Sequence, residues 1–369
     1  MTILFLCHGG YLCREQLGYV RAFMRHGARL AFVPDGFPAN GDLNQLLRQC
    51  PEKPFLILHP ELQPVLPVGL TDVSIPTACF QIDTYTYTGR RIKWSMLFDY
   101  SLLFHSGFED EFRDAGHPRP LTSPHAVDPD FFPEEEAQRL LEISMVGRTD
   151  GRLYKSRREI LSQLSTSFRM NEWWREHSYQ ELADVYRHSK IVVNIGRDDY
   201  PFDTGLRFAE ALAAGALFLT LQPGQLPHLG FENGNHFVGY RRASEIADLA
   251  RFYLSNEPLR RRIAEAGREK VLREYTYDCR VKALLEKVRQ DGGHFFAPAR
   301  GWSPERVSVH YLDYYAAHLR MDCAYRELQR IGLRRPISSA VGSILIAGAL
   351  SRRLHSRFLN ISRAGSGPI

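Results

Sequence analysis

The chain has 369 residues, of which 44% are hydrophobic and 24% charged, and its formal net charge is +5. This length and composition predict a globular protein of two or three domain units and exclude a small disulfide-stapled scaffold. The small positive charge gives no specific indication of nucleic-acid binding. Six cysteines are scattered without CxxC pairs or His-Cys clusters, which favours reduced thiols in the cytoplasm and no metal site.

The first elements predict a βαβ unit. Thr2–Leu6 is apolar, short and without a basic flank, so we interpret it as a buried strand and not as an export signal. Apolar residues recur at helical spacing over Arg14–His26, and Leu30–Val33 again has strand character.

The alternation continues to the end of the first 135 residues and resumes after a proline-rich acidic stretch, Pro129–Glu136. Further predicted strands are Phe55–Leu58, Thr77–Gln81, Tyr100–Phe104, Glu142–Val146, Lys190–Asn194 and Ala216–Leu221, and further predicted helices are Gly107–Ala115, Ser156–Leu164, Tyr179–His188, Gly205–Ala214 and Ala243–Leu254. We therefore predict an α/β fold with two Rossmann-like domains, 1–135 and 136–290, facing each other across a cleft, and a helical extension at 291–369.

Parallel sheets bind ligands at the carboxyl ends of their strands, so functional residues are expected at these junctions. The first predicted strand runs into His8-Gly9-Gly10. Gly9 and Gly10 would let backbone amides approach an anion or a sugar hydroxyl. The alternative is ordinary turn chemistry.

A basic loop precedes the first helix of the second domain. The segment Val146–Arg157 carries four cations: Arg148, Arg152, Lys155 and Arg157. Cations near the amides at the start of a helix suit a diphosphate, because they neutralise the charge of a departing leaving group. The alternative is a solvated basic loop.

A polar loop precedes the helix predicted at Gly205–Ala214, with Asp203 or Thr204 as its cap. Arg207 and Glu210 are three residues apart and share a helix face. A carboxylate can accept both hydroxyls of a ribose, and a guanidinium can bind a phosphate through two hydrogen bonds. Alternatively, Glu210 only complements the helix dipole and pairs with Arg207.

Three residues at strand ends of the first domain are candidate catalysts. Asp83, His8 or His105 could serve as the general base that an inverting transferase needs. A retaining enzyme needs none, since the leaving phosphate can accept the proton. The alternative for each residue is a framework hydrogen bond.

The segment Gly205–Thr220 resembles the donor site of GT-B glycosyltransferases, in particular the CgeB-like branch of the group-1 (family 4-like) enzymes. The neighbouring segments agree in order and spacing, and the similarity extends over about residues 120 to 285. These segments are Ser123–Pro129, Val146–Arg148 with Lys155, Tyr179–Asn194, Gly230–Phe237 and Leu259–Tyr275.

The resemblance implies a nucleotide-sugar donor, UDP- or GDP-linked, bound mainly by the second domain. Glu210 would hold the ribose, Arg148 and Lys155 the diphosphate, and the amides of Leu206 and Arg207 would add to the phosphate site. No cluster of carboxylates or of His and Cys residues in the sequence indicates a metal site, and the cations of the basic loop can neutralise a diphosphate, so we predict that no metal or other cofactor is needed. The acceptor, which could be a glycan, lipid, protein or small molecule, would contact the first domain, to which the last helix returns.

One position departs from the family pattern of two glutamates. Eight residues before Glu210 stands Phe202, with Asp203 beside it. A retaining transferase is the favoured reading, with Asp203 as the shorter carboxylate. Two alternatives stay open: a non-catalytic nucleotide- or glycan-binding protein on the same scaffold, and a GT-B-like epimerase or phosphorylase.

The end of the chain is basic and partly apolar. Ile337–Leu350 is flanked by arginine pairs and is shorter than the roughly 20 residues that a membrane span needs. We expect residues 334–363 either to contact the inner membrane face peripherally or to pack on the core or a partner. The predicted location is therefore cytoplasmic, with this possible membrane contact.

Overall fold

The structure, a computed structural model, describes residues 1–331 except 62, 64, 134, 136 and 223. The tail segment 334–363 lies outside the described residues. The strands are β1 Thr2–Phe5, β2 Arg29–Phe32, β3 Leu56–His59, β4 Thr77–Gln81, β5 Tyr100–Leu103, β6 Pro120–Thr122, β7 Leu141–Ser144, β8 Ser189–Val193, β9 Leu217–Leu221 and β10 Val238–Tyr240. The helices are α1 Arg14–Arg25, α2 Leu43–Gln49, α3 Thr88–Ser95, α4 Glu109–Asp114, α5 Lys155–Leu164, α6 Tyr179–Arg187, α7 Arg207–Ala213, α8 Ile246–Ser255, α9 Glu257–Glu274, α10 Tyr277–Gln290, α11 Pro304–Ala317 and α12 Met321–Arg330.

The first half is built on a six-stranded parallel sheet in the order β2-β1-β3-β4-β5-β6. Its central strands are buried on both faces, as their continuous apolar runs predict. One face packs against α1 and α10, and the other against α2, α11 and α12. Helices on both faces leave the ends of the strands as the open edge of this half.

The second half has a four-stranded parallel sheet in the order β10-β9-β8-β7. Helices α6, α7 and α9 cover one face, and α5, α8 and part of α9 cover the other. The two sheets confirm the predicted α/β architecture of two Rossmann-like parts, with helices following the second part.

The chain returns to the first half earlier than residue 290. Val127, in the connection between the halves, exchanges backbone hydrogen bonds with Tyr275 and Tyr277. From Tyr277 onward, α10 packs on the first half, where Tyr277 contacts Tyr19 of α1 at a ring distance of 5.3 Å. The extension is anchored further along by the buried carboxylate of Asp99, which accepts hydrogen bonds from Arg300.

The sequence pattern did not predict helix α3 or strands β6 and β10. The helix α3 is polar and short, and β6 and β10 have only three residues each, so none of them carries a strong apolar period. The predicted helical extension contains α11 and α12, between which Leu319 takes a left-handed backbone conformation. Within the described part of the chain, no helix has both the length and the apolarity to cross a membrane.

Candidate functional site

A cavity of about 430 Å³ opens between the two halves at the carboxyl ends of their strands. The second half contributes the loop after β7, the loop after β8 and the start of α7. The first half contributes the start of α1 and the loop after β4. Six of the residues singled out from the second-half sequence do line this cavity or its walls: Arg148, Arg157, Asp203, Leu206, Arg207 and Glu210.

Glu210 lies on α7 with its side chain only 2% exposed. Its Oε1 lies 3.2 Å from Nη1 of Arg14, which comes from the other half of the molecule. The proposed pairing of Glu210 with Arg207 is therefore wrong, because Arg14 takes that place. Burial raises the pKa of Glu210 above its ordinary value, although the charge of Arg14 opposes the shift.

Arg207 is held by the protein itself. Its Nε and Nη2 each donate to the carbonyl oxygen of Val146 over 3.2 Å, and its Nη1 donates to Oδ1 of Asn194. A Cβ at Gly147 would lie 2.6 Å from Nη2 of Arg207, so this close approach requires glycine. Arg207 thus fixes the backbone of the loop after β7 beside the cavity and keeps a positive charge at the cavity wall.

Arg157 has a similar framework role. It is buried, donates from Nε to the carbonyl oxygen of Ile195 over 2.8 Å, and stacks on Tyr154 at 4.6 Å. Burial lowers its pKa to about 9, and the neighbouring charge of Arg207 adds to the shift. Its second bond, to the carbonyl of Arg148, holds the loop after β7 in place.

The two cations assigned to the diphosphate lie in different places. Arg148 lines the cavity, and its Nε lies 3.3 Å from Asp150. The side chain of Lys155 is 71% exposed, does not line the cavity and lies 3.8 Å from Glu159. Of this pair, Arg148 alone is positioned to meet a ligand in the cavity as the structure stands.

Asp203 does not cap α7, whose first turn begins after Leu206 with no side-chain cap. The Asp203 carboxylate instead bridges the halves: Nε2 of the buried His105 lies 3.1 Å from its Oδ1, and the hydroxyl of Tyr85 donates to Oδ2 over 3.4 Å. Burial by itself would raise the pKa of Asp203. The hydrogen bonds from His105 and the backbone N–H of Gly205, together with the electrostatic influence of His105 and His125, outweigh burial and hold that pKa well below its ordinary value. The ring of Tyr85 stacks on Tyr200 with centroids 4.0 Å apart, which adds a second contact across the cleft.

Asp83 lines the cavity opposite the second-half loops. Burial, reinforced by the charge of Glu61, raises its pKa to about 6. Below it, Arg91 and Glu61 form a buried ion pair at 2.6 Å, and Glu61 accepts the backbone N–H of Ile82. This pair fixes the loop after β4 that carries Asp83 and Tyr85.

The junction after β1 lies apart from the cavity. His8 bonds through Nδ1 to the carbonyl oxygen of Val33 at 3.1 Å, and Gly9 and Gly10 form an exposed 3-10 turn. His8, Gly9 and Gly10 do not line the cavity. His105 is fully buried behind its wall, with Nδ1 lacking a hydrogen-bonding partner, so of the three catalytic candidates Asp83 alone reaches the cavity.

Several cavity residues were not anticipated from the sequence. Arg14, Glu15, Tyr85 and His125 come from the first half, where no motif with fixed spacing indicates a site. Three of the wall's buried polar atoms have no partner in good hydrogen-bond geometry within the described residues: Nδ1 of His125, Oγ1 of Thr204 and Oε1 of Glu210. Such atoms are suited to a polar ligand. Within the described residues, no group of three or more His, Cys, Asp or Glu side chains could hold a metal ion.

The comparisons with known proteins agree with this geometry. Residues 146–286 match the family described as glycosyl transferase-like. The matched segment contains Arg148, Arg207 and Glu210, and it ends within α10, after the chain has turned back to the first half. No curated protein matches the sequence.

Solved structures extend the likeness to both halves. HepE from Anabaena, in complex with UDP and glucose, is 14% identical and superimposes with a TM-score of 0.55 over 79% of this chain and 100% of its own. A glycosyltransferase from Rickettsia africae gives 10% identity and a TM-score of 0.57, covering 78% of this chain and 98% of that chain. Sucrose-phosphate synthase from Thermosynechococcus elongatus gives 14% identity and 0.54, covering 78% and 98%. The chain thus has the GT-B fold, while the CgeB-like subtype stays a prediction.

Proposed function

We propose that the protein is a glycosyltransferase that binds a nucleoside-diphosphate sugar in the cavity between its halves and transfers the sugar to an acceptor hydroxyl. The observation that carries the proposal is the convergence of Arg148, Arg207 and the buried carboxylate of Glu210 on one cavity, within the domain matched to glycosyl transferase-like proteins. This arrangement suits a nucleoside diphosphate, because the carboxylate can accept hydrogen bonds from ribose hydroxyls and the neighbouring cations can neutralise the phosphate charge.

In this proposal the second half holds the donor. Glu210 accepts hydrogen bonds from the ribose, Arg148 meets the diphosphate, and the framework cations Arg157 and Arg207 keep the local potential positive. The acceptor oxygen forms a bond to the anomeric carbon as the bond from that carbon to the phosphate oxygen breaks. The electron pair leaves with the diphosphate, whose growing charge the cations stabilise.

The stereochemistry is proposed to be retaining, with the acceptor proton passing to the departing phosphate. Asp83, which faces the donor loops from the first half, is placed to orient the acceptor hydroxyl. If the product has the inverted configuration, Asp83 is instead the general base, since its pKa of about 6 leaves most of it ionised at neutral pH. Proton NMR of the freshly formed product distinguishes these two outcomes.

The test of the proposal is release of nucleoside diphosphate from a panel of UDP-, GDP- and ADP-sugars by the purified protein, with water or added glycans as acceptor. We expect one nucleotide class to be turned over and Glu210→Ala to abolish the release. Binding without any turnover would favour a non-catalytic nucleotide- or glycan-binding protein. Sugar 1-phosphate formed from inorganic phosphate would show a phosphorylase, and isomerised donor without released nucleotide would show an epimerase.

A further inference from the structure

The ion-pair partner of the buried Glu210 carboxylate comes from the opposite half of the molecule. Arg14 begins α1, and its Nη1 lies 3.2 Å from Oε1 of Glu210. The Arg14 side chain is 33% exposed in the cavity, and its guanidinium lies 5.2 Å from the ring centre of Tyr179, which backs it on one side. The same Oε1 has no partner in good hydrogen-bond geometry, so it stays able to accept a further hydrogen bond.

We propose that Arg14 is a positioning residue of the donor site, which keeps the Glu210 carboxylate charged and oriented to accept two hydroxyls of a ribose. The inference rests on the proposed function, because it assigns a role in binding the same nucleotide. It adds a first-half residue to a site that the sequence places mainly in the second half.

The physical reason is the cost of burying a lone carboxylate. A protonated Glu210 would carry its own O–H donor, and two ribose hydroxyls would then lose an acceptor. Burial favours this neutral form and raises the pKa of Glu210, whereas the charge of Arg14 favours the ionised form. Removing Arg14 would therefore raise the pKa further and weaken binding at neutral pH.

The other groups that act on Glu210 do not replace Arg14. Glu15 of α1 carries a like charge, and it raises the pKa of Glu210. Arg207 on the same helix favours the charged form less than Arg14 does, and Val146 and Asn194 hold it in place. The remaining titratable groups that interact with Glu210 are phenols: Tyr179 and Tyr186 of α6 and Tyr277 of α10.

The test is the pH dependence of UDP and GDP binding, measured by calorimetry from about pH 5.5 to 8.5 for the full chain and its Arg14→Gln and Arg14→Lys variants. For the nucleotide that binds, we expect Arg14→Gln to move the midpoint of acid loss upward by about one pH unit and to weaken affinity by up to about tenfold, most strongly at the acidic end of this range. Arg14→Lys retains the charge, so its midpoint should stay close to that of the parent protein.

Arg21→Gln is the matched control, because Arg21 also lies on α1 and pairs with a buried carboxylate, Asp128, outside the cavity. It should leave both affinity and midpoint unchanged. In a Glu210→Gln background, Arg14→Gln should cause no further pH-dependent loss. Equal weakening at every pH, with or without Glu210, would show a merely structural Arg14 and overturn the inference, as would parent-like binding by Arg14→Gln. If the parent protein binds neither nucleotide, the series is repeated with ADP, and if ADP does not bind either, the proposed function itself fails.

Discussion

The two halves of the cleft differ in how their candidate residues are arranged. In the second half, Arg148, Asp203, Arg207 and Glu210 all reach the cavity from one continuous stretch of chain. In the first half, the glycine turn after β1 lies apart from the cavity, and the contacts come from α1 and the loop after β4. The second-half wall therefore comes from loops and a helix start that the sequence pattern identifies, whereas the first-half wall depends on how distant segments pack.

The difference also appears in which residues serve as framework. Arg157 and Arg207 donate hydrogen bonds to backbone carbonyls and thereby fix the backbone of the second-half wall. In the first half, the buried pair Arg91–Glu61 does this for the loop that carries Asp83. Each wall thus has buried supporting residues behind those that face the cavity. Substitution of a supporting residue should disturb the wall itself, whereas substitution of a cavity-facing residue should change ligand binding or turnover.

The largest expected effect is on the second-half side. Glu210→Ala should abolish detectable donor binding, because losing two charge-assisted hydrogen bonds costs about 2 to 4 kcal/mol of nucleotide affinity. Calorimetry with UDP and GDP measures this loss, and thermal unfolding checks that the variant is folded. Glu159→Ala, which removes an exposed carboxylate paired with Lys155, is the control and should bind as the parent does. Unchanged affinity of Glu210→Ala would remove Glu210 from the donor site.

The next effect should fall on turnover and not on donor affinity. Asp83→Asn is expected to lower kcat by about 100-fold, at the lower end of the range for a group that transfers a proton. Because the raised pKa of Asp83 is about 6, its charged form is lost as the pH falls through that value, so parent activity should decline below about pH 6. The acid limb should disappear in Asp83→Asn. A variant with parent kcat and parent pH profile would exclude Asp83 from both roles.

A comparison of two cations sharpens the assignment within the second half. Arg148→Ala should weaken nucleotide diphosphate binding by about 1.5 to 3 kcal/mol, the value of a hydrogen bond to a charged group. Lys155→Ala should cost about 1 kcal/mol or less, because that side chain is 71% exposed and outside the cavity. Equal losses in the two variants would mean that Lys155 moves into the site when the donor binds.

The smallest effect is expected from chelation. Turnover should be unchanged in excess EDTA, since the proposed site neutralises the diphosphate with Arg148 and the framework cations alone. Initial rates with and without chelator measure this directly. Complete loss of activity that manganese restores would refute the role given to these cations.

The sequence predicted the architecture because long apolar strands and periodic helices such as Thr77–Gln81 and Tyr179–Arg187 carry strong local signals. It also predicted six residues that line the second-half wall, because helix spacing puts Arg207 and Glu210 on one face and the loops after parallel strands meet at one sheet edge, whereas Lys155 lies outside the cavity. It could not predict that Arg14 pairs with Glu210, because that contact joins residues nearly 200 positions apart through the packing of two domains. For the same reason it missed the bridge from His105 to Asp203.

The most direct test of the donor-site assignment is a crystal structure of the protein with the nucleoside diphosphate that it binds. We expect the ribose hydroxyls to lie within hydrogen-bonding distance of Glu210, the diphosphate to lie beside Arg148 and the start of α7, and Asp83 to face the open end of the cavity. A nucleotide bound elsewhere, or one in this cavity with its ribose away from Glu210, would contradict this assignment.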